Sequence, residues 1–178
     1  SDAAVYWFGL RFKDNAAASS LVEYCRLEDG YATNVDEEDG RGGLVYLKDY
    51  GQLQLRSSIL TYEGGTVFAG GIIYCENSGL ELMNSVLLDG MSIYGGASIG
   101  LVASSPVIRF CSWDNHYFTD GSISCDQDSD PLIQGCINFS SGGHDFVLAD
   151  GASVPIVEYS HLLTAYPGEG NIQGPAYS

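Results

Sequence analysis

A two-part phrase recurs along this chain and restricts its fold more than any other feature. Gly43-Leu-Val-Tyr-Leu47 is followed by Leu55-Arg-Ser-Ser-Ile-Leu60. The same phrase returns as Gly71-Ile-Ile-Tyr-Cys75 with Leu82-Met-Asn-Ser-Val-Leu87, and again as Gly121-Ser-Ile-Ser-Cys125 with Ile133-Gln-Gly-Cys-Ile137. A repeat of this size cannot bury its own apolar face. It buries that face only by stacking on its neighbours, which is the logic of a solenoid.

Aligning the second half of the phrase gives a column of small residues: Cys25, Ser58, Ser85, Cys111, Cys136 and Ser160, at gaps of 33, 27, 26, 25 and 24 residues. Three residues earlier stands an aliphatic column of Val22, Leu55, Leu82, Ile108, Ile133 and Val157. The first half of the phrase aligns Val45, Ile73, Ile99, Ile123 and Phe146. Two positions on it aligns Leu47, Cys75, Leu101, Cys125 and Leu148. Residues that alternate along a segment and recur between segments describe parallel strands stacked about 4.8 Å apart. Strict alternation would turn Arg26 and Ser112 inward beside the small column, so a bend or bulge is expected between Tyr24 and Cys25 and at the equivalent positions. No window shows apolar residues at helical spacing between caps. A sandwich would need antiparallel hairpins with short turns, and it offers no reason for near-constant spacing. The expectation is an all-β solenoid of about six coils of ~25 residues, forming one domain over residues 1–178.

The phrases Gly42-Gly-Leu-Val-Tyr46, Gly70-Gly-Ile-Ile-Tyr-Cys75 and Pro106-Val-Ile-Arg-Phe-Cys111 resemble the repeats of right-handed parallel β-helix proteins in the broad pectate-lyase-like superfamily. The doubled glycine with its aliphatic pair is also similar to repeats of bacterial polymorphic surface proteins. The resemblance implies a right-handed parallel β-helix from a superfamily of lyases, hydrolases, adhesins and passive stalks. It implies too that the chain is a segment of a longer protein, since both ends fall where such proteins continue and terminal repeats need caps.

Charge narrows the partners. The chain carries 23 acidic and 7 basic residues, a net charge of −16. Nucleic acid is excluded, because phosphate counterions are displaced by Lys and Arg. Anionic membranes and unaided acidic polysaccharides are disfavoured for the same reason. Divalent cations and basic partners stay open, as do other protein chains and extracellular glycans. No apolar run reaches the ~20 residues of a membrane span, so direct membrane insertion is not expected. The opening Ser1-Asp-Ala-Ala-Val-Tyr-Trp-Phe8 has no basic region of the kind that begins a signal peptide. Secretion or cell-surface display would therefore require a leader outside this sequence.

The five cysteines, Cys25, Cys75, Cys111, Cys125 and Cys136, are an odd number and cannot all pair within one chain. Cys111 and Cys136 share a column in adjacent coils, within disulfide range, whereas Cys75 and Cys125 lie two coils apart. Buried free thiols and a single Cys111–Cys136 bond both fit.

Three groups carry candidate chemistry. Asp126-Gln-Asp-Ser-Asp130 places carboxylates at every second residue, which suits Ca²⁺, although the sequence is neither an EF-hand loop nor a β-roll nonapeptide. The four consecutive acids Asp36 to Asp39 are a weaker version of the same idea, since like-charge runs are usually solvated. Trp113-Asp-Asn-His-Tyr117 and Gly142-Gly-His-Asp-Phe146 combine acids with histidines. Asp114 with His144 suggests an acid/base couple, and Asp114 with Asp145 a carboxylate pair for glycoside hydrolysis. Similarity to polygalacturonases would require Asn-Thr-Asp, Asp-Asp, Gly-His-Gly and Arg-Ile-Lys, and none of these occurs. Finally, Tyr46 and Tyr74 face outward on neighbouring coils, where they serve either as a sugar platform or simply as strand packing. The outward column Glu23, Arg56, Met83, Arg109, Gln134 and Glu158 mixes signs and forms no charged track.

The expected function is a non-catalytic extracellular or cell-surface solenoid with a structural, adhesive or assembly role, requiring no cofactor. The alternatives are a carbohydrate-active enzyme (polysaccharide lyase or glycoside hydrolase) using Asp114, His144 and Asp145, and a Ca²⁺-assisted glycan-binding module.

Overall fold

The computed structural model describes residues 7–32, 40–62, 68–114, 121–140 and 143–174. All of its strand pairings among these residues are parallel. The chain is a right-handed parallel β-helix with three faces. Its first face stacks Ile73–Glu76, Ile99–Val102, Ile123–Asp126 and Phe146–Leu148 below the first half of Val45–Arg56. The second stacks Leu80–Met83, Val107–Arg109, Leu132–Gln134 and Ile156–Glu158 below the second half of that long strand. Leu10–Glu23 pairs along both halves from above, with one register shift between Asn15 and Ser19. The third face runs Arg26–Glu28, Ile59–Thr61, Val86–Leu88, Ser112–Asp114, Ile137–Asn138, His161–Leu162, Ile172–Gln173.

The aliphatic column is an observed register: Val22, Leu55, Leu82, Ile108, Ile133 and Val157 are successive partners. Leu55, Leu82, Ile108 and Ile133 are all fully buried. Burying each side chain contributes about 1.5–3 kcal/mol. On the first face Leu10, Val45, Ile73, Ile99, Ile123 and Phe146 align in the same way. After the longer first step of 33 residues, the turns average about 26 residues.

The expected bend is a backbone corner. Tyr24, Ser57, Asn84, Phe110, Gly135 and Tyr159 all have positive φ, between 47° and 63°. Each turns the chain from the second face to the third and places the following Cys or Ser inside. Those small side chains then join the coils. Ser58 Oγ donates to Arg56 O (2.7 Å) and accepts from Cys25 N (3.2 Å), while Ser85 Oγ donates to Met83 O (2.8 Å) and accepts from Ser58 N (3.2 Å). Cys111 and Cys136 donate their thiols to Arg109 O and Gln134 O in the same manner, more weakly.

A second ladder lies between the first and second faces, and sequence reading missed it. Ser78, Ser104, Ser129 and Ser153 each accept a backbone N–H from the preceding coil, from Tyr50, Ser78, Ser104 and Ser129 respectively, at 3.0–3.1 Å. Their spacing of 26, 25 and 24 residues was the available signal.

The corner between second and third faces is always two residues long, as in Ser57-Ser58 and Asn84-Ser85. The connection from third face back to first is not constant. From Leu27 to Val45 it covers 18 positions, from Leu60 to Ile73 13, from Leu87 to Ile99 12, from Trp113 to Ile123 10, and from Asn138 to Phe146 8. The shortening of the repeat along the chain is concentrated at this edge.

Candidate functional site

Asp145 is fully buried. Its Oδ1 accepts from Asn138 Nδ2 (2.8 Å) and Leu163 N (3.1 Å), and its Oδ2 accepts from Thr164 N (2.8 Å) and Thr164 Oγ1 (2.7 Å). Asn138 explains the location. It continues the inner column Leu27, Leu60, Leu87, Trp113 of the third face as a polar interruption before the buried Leu162. A buried amide needs a partner, and Asp145 supplies one. His144, its neighbour, is exposed, and its carbonyl accepts from Ser122 N. Asp114 is half-buried at the end of its strand, opposite Leu88. Asp145 and His144 therefore point to opposite sides of the wall: one knits coils together and the other meets solvent.

The three aspartates of the calcium candidate also separate. Asp126 is half-buried and its Oδ1 accepts from Gln127 N (2.9 Å). Asp130 Oδ1 accepts from Val154 N (2.5 Å) in the next coil. Asp128 is exposed, and its backbone N–H donates to Asp150 Oδ2 (2.9 Å). The N–H groups of Ser153, Asp128 and Ala152 hold the Asp150 carboxyl well below the usual carboxylate range. Among the described residues no group of three or more His, Cys, Asp and Glu side chains is arranged to hold a metal ion. Asp36 to Asp39 and His116 lie outside the described residues.

Tyr46 and Tyr74 do stack, with ring centroids 5.7 Å apart and planes 10° from parallel. Their exposure differs from the expectation: Tyr46 is 0% and Tyr74 2% exposed. Alternation correctly turns them out of the coil, but the outside is covered. Arg11, one rung above, places its guanidinium 5.2 Å from the Tyr46 ring centre, and Arg41 lies 5.0 Å from that of Tyr74. Arg11 is fixed by donating Nη1 to the carbonyls of Arg41 (3.0 Å) and Gly42 (2.6 Å). Arg41 in turn pairs with Glu76 at 3.5 Å, and Lys48 pairs with Glu76 at 3.1 Å. Burial pushes the Tyr74 hydroxyl up to about 12 despite the opposing pull of Arg41. The pair is a covered stack and offers no open platform. Arg11 heads the outward column of Tyr46 and Tyr74, which the sequence reading began only at Tyr46, and Arg41 lies outside the strand columns.

Below Tyr74 the outward column changes to Gly100 and Ser124. The loss of side-chain bulk leaves a cleft of about 180 Å³ lined by Arg41, Phe68, Tyr74, Tyr94, Ser124 and Asp126, among others. Phe68 and Tyr94 touch at 4.7 Å between ring centres. The cleft can take one small ring-shaped group against aromatic walls, with a guanidinium and a carboxylate at its rim.

All five cysteines are free thiols. Burial pushes Cys125 up to about 12 and raises Cys75 further. The contact with Cys136 raises Cys111 and correspondingly lowers Cys136.

The chain matches no family model, no curated protein and no solved structure. The parallel β-helix rests on its own register, and neither the pectate-lyase-like superfamily nor the polymorphic surface-protein repeats is supported as its family.

Proposed function

We propose that the chain is a non-catalytic β-solenoid segment of a secreted or cell-surface protein, where it holds a fixed spacing and presents its faces to other protein chains or to extracellular glycans. The observation that carries this reading is where the interior polar groups are used. Asp145, Asn138 and the two Ser/Cys ladders spend their hydrogen bonds between coils rather than around a cleft. Ladder side chains used in this way make a stiff wall, as spacing and adhesion need. The net charge of −16 argues against nucleic acid as partner. Among the described residues no helix is long and apolar enough to cross a membrane.

The cleft beside Tyr74 favours a second reading, a carbohydrate-active protein or a Ca²⁺-assisted glycan-binding module, because aromatic walls and the Asp126 carboxylate meet there. Incubation with a panel of polysaccharides and measurement of new reducing ends and unsaturated products separates the first reading from an enzyme, and retention on the same glycans with and without Ca²⁺ separates it from a Ca²⁺-assisted module. No product and no Ca²⁺-dependent retention support the first reading. Cleavage that Asp114→Ala abolishes overturns it.

A further inference from the structure

Thirteen described non-glycine residues have positive φ, and seven of these are Asp or Asn, the types that tolerate this region best. The three aromatic ones, Tyr24, Phe110 and Tyr159, all stand at the corner between second and third faces. The same corner elsewhere uses Ser57, Asn84 and Gly135, so the fold does not demand a ring there. A bulky residue in this conformation carries a strain cost. Burial does not offset that cost in full, for Phe110 remains 63% and Tyr159 55% exposed.

Each ring has one side supported. A Cβ on Gly135, the corner residue of the next coil, would come within 2.8 Å of the Phe110 ring, and one on Gly170 within 2.4 Å of the Tyr159 ring. The glycines leave room for the rings to lie against the backbone. Tyr159 is further fixed by its backbone N–H, which donates to Glu169 O (2.7 Å). Gly135 separates the two aromatic corners, so they stand about 10 Å apart, two strand spacings. Beside them runs a polar ladder one residue earlier in sequence. Arg109 Nε donates to Gln134 Oε1 (2.8 Å), and Gln134 Nε2 donates to Glu158 Oε2 (2.7 Å).

We propose that the Phe110 and Tyr159 corners form a stacking platform for a neutral polysaccharide, with two of its pyranose rings laying their C–H faces on the two aromatic rings and hydroxyls meeting the Arg109–Gln134–Glu158 ladder. Aromatic faces also stack on nucleobases, but the phosphates attached to those are repelled by a chain of charge −16. Acidic polysaccharides are disfavoured on the same ground. A neutral chain of sugar rings avoids the repulsion and matches the mixture of apolar faces and planar polar groups. This inference rests on the adhesive reading above and gives it a ligand class.

The test is native affinity electrophoresis in gels containing hydroxyethylcellulose, laminarin or galactomannan, with polygalacturonate as the acidic comparator. The variant is Phe110→Asn combined with Tyr159→Asn, because Asn84 already occupies this corner. The expected result is retardation by at least one neutral glycan, about tenfold weaker in the double variant, with the melting midpoint unchanged or raised because Asn relieves the strain at the corner. Retardation by none of the glycans, or equal retardation of the variant, overturns the platform. A lowered midpoint also overturns it, by showing that the rings brace the glycine corners. Self-association that the variant abolishes overturns it in favour of an interface between copies. Release of sugar products from the same glycans would sink the non-catalytic reading instead, so the two failures are distinguishable.

Discussion

Thr164 grips the carboxylate of Asp145 twice, through its backbone N–H at 2.8 Å and its hydroxyl at 2.7 Å, across 19 residues of sequence. The contact closes one coil onto the next at a point where the interior has become polar. Asp145→Ala would strand the Leu163 and Thr164 N–H groups, each at about 1–3 kcal/mol, and leave the Asn138 amide only its 3.2 Å bond to Ser122 Oγ. A loss of about 3 kcal/mol or more is expected in denaturant unfolding, with a smaller loss for Asp145→Asn. An unchanged midpoint for the alanine variant would show that the carboxylate does not tie the coils.

Ser104 sits mid-ladder, accepting from Ser78 N at 3.1 Å and donating to Val102 O at 2.9 Å. Ser104→Ala is expected to cost about 1–3 kcal/mol by leaving the Ser78 N–H unpaired. Ser104→Cys should cost less, because the other ladder already uses Cys111 and Cys136 in this role. Equal stability of the serine and alanine proteins in urea unfolding would contradict the assignment.

Stability should fall at both ends of the pH scale, for groups of opposite sign. Tyr74 and Tyr62 are raised from 10.0 to about 12, and Cys125 from 9.0 to about 12. Their protonated forms are favoured in the folded state, so their contribution is complete below the unfolded values and lost as pH rises toward 12. Asp150 is displaced the other way, so its contribution is present above 3.8 and lost as pH falls below it. Melting midpoints should therefore drop above pH 9 and below pH 4, with Tyr74→Phe reducing the alkaline slope and Asp150→Asn the acidic one. Profiles identical to those of the unsubstituted protein would contradict this.

Thiol reactivity should follow burial. Cys25 is half-buried and the other four cysteines are buried. A disulfide-exchange reagent should label Cys25 first in the native protein and all five after denaturation. Three labelled thiols in the denatured state would mean that Cys111 and Cys136 had joined.

The columns Leu55, Leu82, Ile108, Ile133 and Ile73, Ile99, Ile123 were legible because each residue has a counterpart one coil away, and only vertical neighbours impose that recurrence. The corner was legible as a contradiction in alternation, which positive φ at Tyr24 and its equivalents resolves. Cover was not legible. Period-two patterning assigns Tyr46 and Tyr74 to the outside but cannot tell that Arg11 closes over the first and Arg41 over the second. Nor does the adjacency of His144 and Asp145 in sequence reveal that one is exposed and the other interior. That division is set by Asn138 and Thr164, which are 7 and 19 residues from Asp145.

The unequal return path from third face to first, 18 positions at one end and 8 at the other, separates the chain into parts that tolerate change differently. A peptide grafted into that path adds length where length already varies, at a loop-closure cost that grows only logarithmically. The same graft in the two-residue corner at Ser57-Ser58 would displace a hydroxyl from its ladder and break the register above and below it. The return seam from third face to first, where length varies most, is thus the natural place for new recognition loops, while the two-residue corner stays scaffold.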